Sequence, residues 1–125
     1  LPLARVLVDQ ISSLDADAFW LPMPRDARAK RIADALHENP ASKDTIDVLA
    51  KRAGASPRTL ERLFQNETGL TFGRWRQQLR LVAAARRLGG GESVTNVALE
   101  VGYDSASAFI AAFRGAFGVT PGRYF

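Results

Sequence analysis

One local pattern occurs twice in this 125-residue chain, and it limits what the chain can fold into more than any other feature. Residues 46–64, IDVLAKRAGASPRTLERLF, read as a short helix, a turn at Gly54 and a second helix opening at Ser56. Residues 94–113, VTNVALEVGYDSASAFIAAF, read the same way, with the turn at Gly102 and the second helix opening at Ser105. Ala50 matches Ala98 and Gly54 matches Gly102 at an offset of 48. One residue is added in the second turn. The offset then becomes 49, and Ser56 matches Ser105, Leu60 matches Phe109, Phe64 matches Phe113, Gly69 matches Gly118 and Thr71 matches Thr120. Two copies make a duplicated helical unit, whereas a solenoid needs at least about three repeats to bury a continuous core.

The segments around the repeat are helical too. Asp26 can cap a helix over residues 27–39, with Ala29, Ile32, Ala33 and Leu36 inward and Pro40 ending it. Its last turn holds His37, the one histidine, where a positive charge would favour the helix end. Asp44 or Thr45 caps the first short helix, and Gly54 stops it because glycine readily takes positive φ. Ser56 followed by Pro57 is a strong helix start. Phe72, Trp75, Leu79, Val82 and Ala83 then recur at helical spacing along residues 72–88, the longest helix, which the Gly89-Gly90-Gly91 run ends. Ser93 caps a helix over residues 94–101 that Gly102 closes, Phe109, Phe113 and Phe117 form a core stripe in the next, and Thr120-Pro121 opens a last short one. The expected fold is all-α: two helix-turn-helix subdomains on a long linker helix, about seven helices in all.

The expected division is a tail or linker at 1–26, a first lobe at 27–71, the linker helix at 72–88 and a second lobe at 89–125. In the tail, Leu3, Val6, Leu7, Gln10, Ile11 and Leu14 are compatible with a helix, and prolines extend residues 19–24. This stretch is apolar enough to need a partner surface; the tail of an upstream domain, a linker and a dimer contact all fit. The chain opens on Leu1 without a signal-peptide pattern, and reads as the C-terminal part of a longer protein.

Charge is concentrated. The net charge is +4, yet residues 56–91 alone carry seven arginines against two glutamates, a local +5, while residues 92–125 sum to −1. Arginine suits phosphate and guanine recognition better than lysine, although a solvated helix face would have the same composition. The lack of cysteine excludes disulfides, thiol catalysis and cysteine-based zinc sites. No carboxylate pair, metal cluster or nucleophile–base set stands out, and no Lys-Ser/Thr follows the triple glycine to make a phosphate loop, so neither an enzyme nor a cofactor is expected. No apolar run is long enough to span a bilayer, and a cytoplasmic protein is expected.

Within each unit the first helix braces the second, Ala50 and Ala98 permit close approach, and the outer face of the second helix is free to enter a major groove. At this point the chain resembles the DNA-binding domain of the AraC/XylS family of bacterial transcription regulators. The resemblance rests on LAKRAGASPRTLERLFQNETGLTFGRWRQQLRL and on VALEVGYDSASAFIAAFRGAFGVTPGRY, and covers residues 27–124. It implies two recognition helices in successive major grooves on one face of double-stranded DNA, spaced by about 34 Å per turn, with bending of the duplex to suit.

In the first lobe the outward residues are Arg58, Thr59, Glu61, Arg62 and Gln65. The family pattern implies base reading at Arg58, Glu61 and Arg62. Arginine can bond guanine O6 and N7 together, and glutamate can accept from cytosine N4. The second lobe departs from that pattern, for its corresponding residues are Ala106, Ser107, Ile110 and Ala111. Ile110 and Ala111 can meet thymine methyls, and Ser107 a base or phosphate. The expected division is therefore unequal. The first lobe specifies, and the second positions through Ser105, Ser107 and Arg114. Ser56, Arg74, Arg76 and Arg80 are the further candidates for phosphate contact, and Arg76 and Arg80 share one helix face. RNA polymerase and an upstream sensor or dimerisation domain are the other partners open at this stage. The competing reading is a helical protein-interaction module with weak, non-specific DNA binding.

Overall fold

The computed structural model describes residues 20–125. The helix-compatible pattern from Leu3 to Leu14 lies outside the described residues. Seven helices and no strand occur among those that are described: α1 Ala27–Glu38, α2 Ile46–Ala53, α3 Pro57–Thr68, α4 Phe72–Gly89, α5 Val94–Glu100, α6 Ala106–Phe117 and α7 Pro121–Tyr124.

Local chemistry accounts for nearly every start. The side chains of Asp26, Thr45, Ser56, Thr71, Ser93 and Ser105 each accept a hydrogen bond from a backbone N–H in the first turn that follows. Such caps satisfy donors that have no partner inside the helix. Arg28, through its side chain, and the first-turn amides hold the Asp26 carboxyl below the usual carboxylate range. The ends differ from expectation by about one residue, as fraying helix ends do. α1 stops at Glu38 with Asn39 as its cap, and α4 runs on to Gly89. α5 stops at Glu100 with Val101 as its cap, and Gly102 belongs to the turn, at φ +108°.

The buried side chains form two separate cores. The first gathers Ile32, Leu36, Leu49, Leu60, Phe64, Phe72, Trp75 and Leu79. The second gathers Leu81, Ala84, Leu88, Val97, Val101, Phe109, Phe113 and Tyr124. α4 serves both: its first half faces one core, and Leu81, Ala84 and Leu88 on a rotated stripe face the other. The pattern Phe72–Trp75–Leu79 reveals the first stripe only. Two stripes on one helix leave it with a weak single apolar side: Leu81, Ala84 and Leu88 keep helical spacing but lie on the opposite side from Phe72, Trp75 and Leu79 and do not continue their pattern.

Trp75 is the centre of the first core. It is fully buried, edge-on to Phe64 at 5.2 Å and to His37 at 5.9 Å between ring centroids. Its Nε1–H donates to the Pro22 carbonyl at 2.7 Å, while Leu21 and Met23 pack against the same core. Residues 21–24 thus find a partner surface within the chain, while Trp20 remains 65% exposed. The Arg25 and Asp26 amides donate to Glu67 Oε1 at 2.7 and 2.9 Å, which closes the wrap. Partial desolvation, opposed by Asp34 and assisted by Arg86, lowers the His37 imidazole pKa, which works against the positive charge expected at this helix end.

Candidate nucleic-acid interface

Each unit presents its second helix, α3 or α6, with the core face inward and the other face to solvent. On α3 the core side is Leu60 and Phe64, both fully buried. On α6 it is Phe109 and Phe113, also fully buried. The equivalence expected from the repeat therefore holds in the packing.

The five outward residues of α3 are in different situations. Arg58 and Arg62 are exposed, with no hydrogen bond or ion pair among the described residues. They stand one turn apart, so both guanidinium groups can meet one ligand surface. Thr59 is half-buried, and its Oγ1 accepts from the Ser56 hydroxyl at 2.9 Å. Glu61 is exposed, but its Oε2 accepts from the Phe72 amide at 3.4 Å, over the start of α4. Gln65 Nε2 donates to the Gly69 carbonyl at 3.2 Å at the end of its own helix. The two arginines are thus the unengaged polar groups of this face.

On α6, Ser107, Ala111 and Arg114 are exposed, while Ala106 and Ile110 are half-buried. Ser107, Ile110, Ala111 and Arg114 line one shallow groove with Gly115 and Thr120, so the structure brings four of the named residues onto one surface. Ser105 Oγ accepts from the Ala108 amide at 3.1 Å, and its O–H donates to no other group among the described residues. Ser56 differs. Its oxygen accepts from the Thr59 amide at 3.1 Å while its proton goes to Thr59 Oγ1.

The linker arginines do not act as a group. Arg74 is exposed and lines a cleft between α4 and α6, with Gln77 of its own helix and Ala111 and Gly115 of α6. Arg76 and Arg80, expected at phosphate, turn into the fold. Arg76 lies over the Phe72 ring at 5.0 Å with Nε and Nη2 buried and unpartnered, and burial together with Arg80 lowers its pKa. Arg80 donates from Nε to the Pro40 carbonyl at 3.0 Å and from Nη2 to the Ser42 carbonyl at 2.8 Å. Arg87 pairs with Glu100 and, at 3.6 Å, with Glu92. The +5 stretch is therefore only partly an exposed face: Arg58, Arg62, Arg74, Arg86 and Arg87 are exposed, whereas Arg76 and Arg80 are half-buried.

Sequence reasoning missed Lys43 and Glu67. Lys43 Nζ donates to the Gly102 carbonyl and pairs with Asp104 at 3.3 Å. No periodicity marks such a residue, because its partner lies 59 positions away. Among the described residues, no cluster of His, Cys, Asp or Glu could hold a metal ion, and no helix is long and apolar enough to cross a membrane.

Comparison with known proteins places this arrangement. Residues 49–125 match a family model described as a helix-turn-helix domain. The chain is 36% identical over 122 residues to the HTH-type transcriptional regulator NimR of Escherichia coli K12, a match that covers 98% of this chain and 45% of NimR. The chain thus spans less than half the length of that relative. It is 39% identical over 80 residues to the regulatory protein SoxS of Salmonella typhimurium, covering 63% of this chain and 75% of SoxS. The solved DNA-binding domain of AdpA, in complex with a target DNA, superposes with a TM-score of 0.72 at 30% identity, over 78% of this chain and 88% of that one. Repeat, fold and relatives agree: the chain belongs to the AraC/XylS family of helix-turn-helix transcriptional regulators.

Proposed function

We propose that this chain binds double-stranded DNA sequence-specifically, as the DNA-reading part of a cytoplasmic transcription regulator, with α3 and α6 in successive major grooves. The observation that carries the reading is the pair of outward helices on one linker, the first bearing two unengaged arginines one turn apart. Arg58 and Arg62 bond guanine edges, while Glu61, Thr59 and Gln65 shape the same face from their intramolecular contacts. Ile110 and Ala111 meet thymine methyls, Ser107 reaches a base or phosphate, and Ala106 gives close approach. Ser105, Arg114 and Arg74 contact phosphate, and Ser56 acts through its cap on α3. Arg76 and Arg80 leave the proposed set of phosphate ligands, because the Arg76 guanidinium lies over Phe72 and that of Arg80 bonds two backbone carbonyls. An upstream sensor or dimerisation domain and a contact with RNA polymerase belong to the same proposal for the full-length protein.

Selection from a random duplex library tests the reading. The expected motif has one strongly specified half containing guanine and a second, weaker half rich in thymine. Affinity for the selected duplex should fall steeply with salt, with a log–log slope of about −0.9 per neutralised phosphate. Arg74→Ala should reduce that slope by about one and leave the motif unchanged. A flat plot, or no enrichment of any sequence, overturns the proposal. Ala111→Arg addresses the second head separately: it should tighten binding and change the weaker half of the motif. Unchanged affinity and motif would mean that this face of α6 is not in a groove.

A further inference from the structure

The two hydrophobic cores share no residue, and the relative placement of the lobes rests on α4, against which both are packed. Besides α4 itself, a polar contact at the middle of that helix joins them. Arg80 extends from α4 and holds the carbonyls of Pro40 and Ser42, in the connection between α1 and α2. The turn that precedes α6 lies against the same guanidinium. A Cβ on Gly102 would come within 2.9 Å of Arg80 Nε and 3.0 Å of Ala41 Cα, so only glycine allows this approach, and its φ of +108° is itself a conformation that favours glycine. Lys43, from the same connection, closes the contact onto the Gly102 carbonyl and Asp104. Three positions after Gly102 comes Ser105, which caps α6.

From this geometry we infer that Arg80 is a positioning residue: a strut between the lobes that sets the separation and rotation of α6 relative to α3, and through them the spacing of the two DNA half-sites. The guanidinium suits the task because its planar fork reaches two carbonyls at once, which a lysine ammonium on a flexible stem cannot reproduce in one fixed geometry. Two linked heads bind together only when their separation matches the span of the sites, so a loosened strut acts on spacing preference before it acts on either head. The consequence for spacing rests on the proposed DNA binding. The strut itself does not, and it can be measured without DNA.

The chain has no cysteine, so labels can be introduced cleanly. Spin labels on Lys51→Cys in α2 and Arg123→Cys in α7, both exposed, report the distance between the lobes in the DNA-free protein. One narrow distance distribution is expected in the parent. Arg80→Ala should broaden it, and Gly102→Ala, which pushes on the same contact from the other side, should shift or broaden it as well. On a selected operator with the gap between half-sites changed by one base pair either way, the parent should prefer one gap by about tenfold or more and Arg80→Ala by less than about threefold. The variant's affinity for the first half-site alone and its salt slope should not change. Distance distributions unaltered in every variant that retains its helical circular dichroism overturn the strut. A salt slope reduced by about one, with the gap preference kept, instead makes Arg80 a phosphate ligand. A parent that binds no duplex specifically defeats the DNA reading and leaves the distance measurement to decide the strut.

Discussion

Replacing Trp75 by alanine is expected to destabilise the first lobe by about 3–5 kcal/mol, the cost of deleting a large aromatic from a packed core. Domain stabilities are about 5–15 kcal/mol, so the loss is a large fraction of the total. The side chain is fully buried, and truncation would remove its edge contacts to Phe64 and His37 together. It would also remove the 2.7 Å hydrogen bond to the Pro22 carbonyl and leave that acceptor without its donor. The lost bond loosens residues 20–24, which pack on the same core through Leu21 and Met23. Because the second core is built from other residues, the damage should be unequal. Hydrogen exchange should accelerate in α1, α2 and α3, with α5 and α6 better protected, and denaturant unfolding should separate into two transitions. A single transition shifted by less than about 1 kcal/mol would contradict a core centred on Trp75.

The second large effect concerns recognition. The double variant Arg58→Ala/Arg62→Ala should weaken specific binding by roughly 2–6 kcal/mol, taking about 1–3 kcal/mol for each guanidinium that bonds a base. The lower part of that range is expected, since the two side chains are one turn apart and neighbours are not additive. Binding to scrambled duplex should fall far less, because Arg74 and Arg114 remain. Folding stability should change by no more than about 0.5 kcal/mol, because both side chains are exposed and make no bond among the described residues. Competition between selected and scrambled duplexes gives the ratio directly. An unchanged ratio would remove α3 from the role of specifying head.

Much of the architecture was legible in the residues. Asp26, Ser56, Ser93 and Ser105 mark helix starts through bonds that reach only two or three positions, so short-range reading finds them. The offset between Phe64 and Phe113 exposes the duplication, and the two occupy equivalent buried places. The polar face of α3 and the apolar one of α6 were also visible, since each follows from which residues stand outward on a helix of known period. The fates of the arginines were not. Arg58, Arg74, Arg76 and Arg80 are chemically alike, and only the surroundings make the first two outward groups, the third a cover over Phe72 and the last a link to Pro40 and Ser42. The same holds for the split of α4 between two cores and for the hold of Glu67 on residues 25 and 26.

By itself, then, the sequence determined the helices, their caps, the duplication and the kind of face each repeat turns outward. Those features depend on neighbours a turn or two away, where spacing along the chain equals position in space. Tertiary structure alone decided which polar groups remain outward and how the lobes are set against each other. The contacts responsible join residues 38 to 61 positions apart, such as Arg80 with Ser42 and Lys43 with Asp104. Over such separations no local period relates one partner to the other, and only the packing of the two cores on α4 brings them within hydrogen-bond reach.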